Sequence, residues 1–154
     1  MKFICPLVTV TDMGEARHFY ENILKLKVKY DFGENVTYDG DFAIHLRTHF
    51  QCLIDLPVES GQNNFELYFE NDHLEDLMET LKQHQIELVH ILREQPWRQR
   101  VVRFYDPDKN IIEVGESMEH VCFRLHKDGK SHEEIEAITM MPQAFIKEAI
   151  EKYE

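Results

Sequence analysis

Residues 100–115 read RVVRFYDPDKNIIEVG. Two apolar runs, RVVRFY and NIIEVG, flank Asp106-Pro107-Asp108, and the fixed φ of Pro107 suits the second position of a type I turn. Two strands joined by a tight turn are therefore predicted. Side chains alternate along a strand, so Ile112 and Val114 share one face while Ile111, Glu113 and Gly115 share the other. A lone carboxylate among aliphatics is expensive to bury. Either the face carrying Glu113 lines a cleft, or an arginine such as Arg47 or Arg103 neutralises the charge.

Moving outward, the same order of elements occurs twice. In the first copy the strand-like run FICPLVTV precedes Asp12, which with Glu15 fits a helix cap, and Ala16, Phe19, Tyr20, Ile23 and Leu24 follow at helical spacing. KVKYDF, NVTY and FAIHLRTHF then read as strands, separated by Gly33 and by Asp39-Gly40. In the second copy FELYF is a strand. Leu74, Leu77, Met78 and Leu81 form a helical stripe, and IELVHIL, RVVRFY and NIIEVGE complete the set. Aligning the copies by their helices sets Cys5 opposite Glu66, and aligning their last strands sets His45 opposite Glu113. A duplicated supersecondary unit of this kind predicts two sheets that curve around one cleft.

Sorting each strand by alternation gives one mainly aliphatic face and one polar face. The polar faces carry Cys5, Leu7 and Thr9; Ala43, His45 and Arg47; Glu66, Tyr68 and Glu70; and Glu113. Two carboxylates, an imidazole and a thiol are a chemically reasonable ligand set for one divalent ion such as zinc, nickel or iron. Without a metal, Glu113 and Glu66 are candidates for an acid/base pair. Tyr68 and Arg47 are candidate ligand-binding residues on the same faces. Trp97, flanked by Arg98 and Arg100 in a loop, suits a planar or anionic ligand, or is a half-buried tryptophan beside surface arginines.

The totals set outer limits. A chain of 154 residues, 43% hydrophobic, can bury a core of its own. Its formal net charge of −12 disfavours nucleic acid and anionic membrane surfaces as partners. Its three cysteines, with no CxxC pair, fit a reducing compartment, so a cytoplasmic location is expected. The opening apolar run contains Pro6 and lacks a small-residue cleavage site, and no stretch is long enough to span a bilayer.

The opening strand before Asp12-Met13, the helix with Phe19-Tyr20, and Phe104-Tyr105-Asp106-Pro107-Asp108-Lys109-Asn110-Ile111-Ile112-Glu113-Val114 together resemble the vicinal oxygen chelate superfamily of glyoxalases, bleomycin resistance proteins and dioxygenases. The resemblance covers residues 1 to about 118. It implies an α+β fold of paired βαβββ modules forming a cupped mixed sheet, with modules at about 1–50 and 62–118. It further implies a small-molecule ligand, a homodimer and, in metal-dependent members, ligands at the positions of Cys5, His45, Glu66 and Glu113. Those members commonly place His, Glu, His and Glu there, so only Glu113 keeps the usual residue type. Lys109 stands where the family usually has Gly. The implied activity is that of an isomerase or lyase, or drug sequestration as in the bleomycin resistance branch.

Residues 119–154 are expected to form a helical extension. Met118, Val121, Cys122 and Leu125 share a helix face, Ser131 and Glu134 fit a capping box, and Phe145, Ile146, Ala149, Ile150 and Tyr153 stripe a last helix after Pro142. Three short helices superficially suggest a helix-turn-helix DNA reader. From residue 117 onward, however, five basic side chains face eight acidic ones, the wrong sign for tracking phosphates.

Overall fold

The computed structural model describes residues 1–154. The first sheet contains β1 (Leu7–Val10), β2 (Val28–Asp31), β3 (Asn35–Tyr38) and β4 (Phe42–Leu46) in the order β1-β4-β3-β2. The second contains β5 (Glu66–Glu70), β6 (Leu88–Glu94), β7 (Arg100–Tyr105) and β8 (Ile111–Gly115) in the order β5-β8-β7-β6. Identical strand order in two sheets is what the sequence repeat predicts, and the α+β class follows. The chain forms two compact units, residues 1–66 with 105–111, and residues 67–104 with 112–154.

In the first unit, α1 (Met13–Arg17) starts where Asp12 accepts a hydrogen bond from the Glu15 backbone at 2.9 Å. It continues as a π-helical turn, His18–Ile23, in which the Leu24 amide donates to the Phe19 carbonyl. The helical stripe was expected, the widened turn was not. One face of the sheet carries Val8, Val10, Val36, Tyr38, Phe42 and Ile44 into a core with Phe19, Tyr20 and Ile23. Tyr20, Tyr38 and Phe42 sit with ring centroids 5.2–5.8 Å apart.

Two boundaries differ from the sequence reading, and both bear on the site. The first strand begins only at Leu7, because Pro6 has no N–H for the ladder; its carbonyl accepts instead from Ala43. Cys5 therefore lies before the strand rather than on its polar face. The run FAIHLRTHF does not stay extended either: β4 stops at Leu46, and residues 47–54 form α2, which packs back on β4 and β1. Good helix formers such as Arg47, Gln51 and Leu53 fill this stretch, and a left-handed Asp55 followed by Pro57 ends it.

The turn 105–111 belongs to the first unit and is organised by Asp106. Its carboxylate accepts from the backbone amides of Asp108 and Asn110, the Asn110 side chain and the Tyr20 hydroxyl, at 2.8–3.0 Å. Burial raises the Asp106 pKa, and the bonds from Asn110 and Tyr20 oppose the rise. Lys109 takes the left-handed conformation, φ 65°. For a residue with a Cβ this costs about 1 kcal/mol.

In the second unit, Leu74, Leu77 and Leu81 of α3 (Leu74–Gln83) are buried, as their spacing predicts. The unit also contains α4 (Met118–Lys127), α5 (His132–Thr139) and α6 (Gln143–Tyr153), which share a core of Val121, Cys122, Leu125, Ile135, Ile146, Ala149 and Ile150. Ser117 caps α4, and Ser131 with Glu134 completes the expected capping box on α5. Glu116 fastens α4 to the sheet from a fully buried position. It accepts from the Arg100 amide and guanidinium at 2.8–3.0 Å and from Arg124 at 3.0 Å. Burial opposes its charge, yet Arg100 and Arg124 outweigh that cost and hold the carboxyl below its ordinary range. Asp72 supplies a second fastening, accepting from the Ser117 amide at 2.8 Å and from the Tyr153 hydroxyl at the end of α6.

Candidate functional site

The ladder registers define the face of the first sheet that is not packed on α1. Leu7 pairs with Ala43 and Thr9 with His45, while Asn35 and Thr37 pair with His45 and Ala43. Residues opposite one another in a ladder point to the same side, so Thr9, His45 and Asn35 form a polar row. His45 is only 7% exposed, because His49 and Phe50 of α2 lie over it, with ring centroids 5.0 and 5.6 Å away.

This imidazole has both nitrogens engaged. The Asn35 side-chain amide lies 3.4 Å from Nδ1, and Nε2 lies 2.8 Å from His49 Nδ1. With Asn35 donating, His45 carries its proton on Nε2 and donates to His49. Burial, and then the neighbouring His49, lower the His45 pKa. The pair thus joins a buried ring to an exposed one through a nitrogen–nitrogen hydrogen bond. Sequence reasoning missed His49 because it placed both residues on one strand. On a strand-to-helix junction they meet.

Arg47, the first residue of α2, donates through Nη2 to Asp108 at 2.7 Å and to Ser60 at 2.8 Å. Asp108 also accepts from the Thr11 amide at 2.9–3.0 Å, so the turn, the end of β1 and the start of α2 are clamped together. The Arg47 Nε donor is buried with no partner. Ser60 also borders a cavity of about 200 Å³ lined by Thr9, Asn63, Phe65, Lys109 and Asn110 among others. That volume suits a ligand of few heavy atoms.

In the second unit Glu113 is 7% exposed and forms an ion pair with Arg103, one of the two arginines its position suggested. Arg103 also lies 3.3 Å from His90 Nε2, its ladder neighbour. Glu66 is the exposed first residue of β5, in the other unit from Glu113. Tyr68 and Trp97, predicted separately, are brought together by a residue the sequence reading passed over. The Gln99 amide accepts from Trp97 Nε1 at 3.0 Å and donates to the Tyr68 hydroxyl at 2.9 Å and the Glu116 carbonyl at 2.7 Å. Gly115 leaves room for it: a Cβ there would stand 2.8 Å from Gln99 Nε2.

The donor set does not fit a metal ion. No three His, Cys, Asp or Glu side chains stand in a group that could hold one. Glu113 is tied to Arg103, His45 Nε2 to His49, and Cys5 sits ahead of its strand. The expected zinc, nickel or iron site is not assembled from these residues.

Residues 3–119 match the family model described as glyoxalase-like domain. No curated protein matches. Among solved structures, the chain is similar to a protein of unknown function from Agrobacterium tumefaciens, at 39% identity and TM-score 0.69, over 76% of this chain and 94% of that one. It shares its fold with a lactoylglutathione lyase from the same organism, at 17% identity and TM-score 0.59, over 75% of this chain and 93% of the other. A glyoxalase-related enzyme from Fulvimarina pelagi gives 20% identity and TM-score 0.62, over 73% and 86% of the two chains. With the family match spanning most of its length and the repeated strand order already in place, the chain belongs to the glyoxalase-like family of the vicinal oxygen chelate superfamily.

Proposed function

We propose that the protein is a small-molecule isomerase or lyase that works by proton transfer on an oxygen-bearing metabolite, with Glu113 of the second unit as the acid/base carboxylate. The observation that carries this reading is the burial of ionisable groups at the same topological position of each sheet, His45 on β4 and Glu113 on β8. Aliphatic residues would fill those positions at lower cost. Arg47 supports it further, since its unpartnered buried Nε suits a ligand oxygen. No step is routed through a metal. The glyoxalase-like domain is taken as 1–118 with 119–154 as its extension, and the working form as a cytoplasmic homodimer without nucleic acid or membrane partners. Three unpaired cysteines support the reducing location.

The test follows C–H exchange by proton NMR in deuterated water across a panel of 2-oxo and 2-hydroxy carbonyl compounds. One class is expected to exchange, and Glu113→Gln should slow that exchange at least about 100-fold while keeping its circular dichroism spectrum. If no compound exchanges, proton transfer is removed from the account. A second reading, ligand sequestration, draws on the way Glu113 and His45 are already paired with Arg103 and His49. Thermal stabilisation by a compound that the protein does not turn over favours it.

A further inference from the structure

Tyr68 and Trp97 are 47% and 42% exposed, although each has its polar atom drawn inward by the buried Gln99 amide. Both rings are held in place and keep a large part of their surface open to solvent. The Tyr68 hydroxyl accepts from Gln99 and donates to Glu70 at 3.1 Å. Donation to a carboxylate shifts electron density toward the ring and deepens the negative potential over its face. Burial, and then Glu70, push the Tyr68 pKa up to about 12, so the phenol stays protonated and able to donate.

The surrounding charges are unevenly paired. Arg98 is matched with Glu94, Arg100 with Glu116 and Glu75, and Arg124 with Glu116 and Glu94. Glu70, by contrast, meets only the neutral Tyr68 hydroxyl. An indole, an electron-enriched phenol and a carboxylate lacking a counterion all favour the same kind of guest.

We propose that the Tyr68–Gln99–Trp97 shelf, with Glu70 at its side, is a binding site for an organic cation, specifically a quaternary ammonium or similarly soft cationic head. The cation lies against the two rings, and Glu70 supplies its counter-charge. Gln99 is the positioning residue: it fixes both rings without touching the guest. This site does not depend on whether the sheet faces catalyse a reaction.

Trp97 is the only tryptophan in the chain, so its fluorescence reads the shelf directly. Full-length protein is titrated with choline and, in parallel, with 3,3-dimethylbutan-1-ol, a neutral compound of nearly the same shape. Choline should give a saturable change that is weakened by salt, with affinity at least about ten-fold above that of the neutral isostere. Glu70→Gln, a surface change that leaves the fold intact, should weaken choline several-fold and leave the isostere unaffected. Gln99→Leu should lose most of the choline response, provided its circular dichroism matches the parent. The proposal is overturned if millimolar choline produces no saturable change, if the isostere binds as well, or if Glu70→Gln binds choline as tightly as the parent.

Discussion

The two sheets have the same strand order, yet their equivalent buried groups are held in opposite ways. On β4 the group is an imidazole, neutral, hydrogen-bonded to a second imidazole on the helix that follows. On β8 it is a carboxyl group, paired with a guanidinium from the neighbouring strand. One arrangement depends on the protonation of an imidazole, whereas the other sets a carboxylate against a guanidinium. Duplication therefore conserved a backbone position while changing what can happen there. The helix α2 accompanies this difference, since it supplies His49 to the first sheet.

The largest expected effect breaks the second arrangement. Arg103→Met leaves Glu113 buried without its cation and should cost about 3 kcal/mol in chemical denaturation. Adding Glu113→Leu to that variant should recover most of the loss, because the pair then leaves together. A double variant no more stable than Arg103→Met would mean that Glu113 is not held by Arg103.

A smaller effect separates the hairpins. The β3–β4 turn uses Gly40 with φ 93° followed by Asp41 with φ 58°, whereas the β7–β8 turn uses Lys109 with φ 65°. Lys109→Gly should stabilise the protein by about 1 kcal/mol, visible as a raised denaturation midpoint. Loss of stability would show that the Lys109 side chain, which lies 5.4 Å over the Tyr105 ring, matters more than backbone strain.

Of similar size is Tyr153→Phe, which removes the bond from α6 to Asp72 and should cost about 1 kcal/mol. The Asp72 carboxyl is held below its ordinary range against the opposing effect of burial, by Tyr153 and then Ser117. Stability from this contact is therefore present above the unfolded pKa and fades as pH falls through the lower folded value. The Tyr153→Phe variant should accordingly lose less stability than the parent on acidification in that range.

The repeat, the strands of both copies and every helix of the extension were legible because each follows from periodicity and caps, which are local. The Asp106 turn was legible through Pro107 and its flanking strands. The end of β4 was not, since FAIHLRTHF alternates well enough as a strand and only packing of α2 back on the sheet reveals the helix. Of the site, Glu113 could be named from burial cost, which left Arg47 and Arg103 as its possible partners. His49 and Gln99 could not: each matters through the partner it meets, and neither meeting follows from spacing along the chain. Cys5 failed for a simpler reason, since Pro6 ends the ladder before reaching it.

The contrast between the two sheets is tested most directly by a histidine-resolved NMR pH titration of the intact protein. His45 should take up its proton below the ordinary histidine range of about 6.5. In His49→Gln its midpoint should move upward, since one of the two causes of its depression has gone. The folded pKa being the lower one, stability should fall as pH drops from the unfolded value toward it. A His45 midpoint at the ordinary value, unmoved by His49→Gln, would contradict the coupled pair and with it the distinction between the two faces.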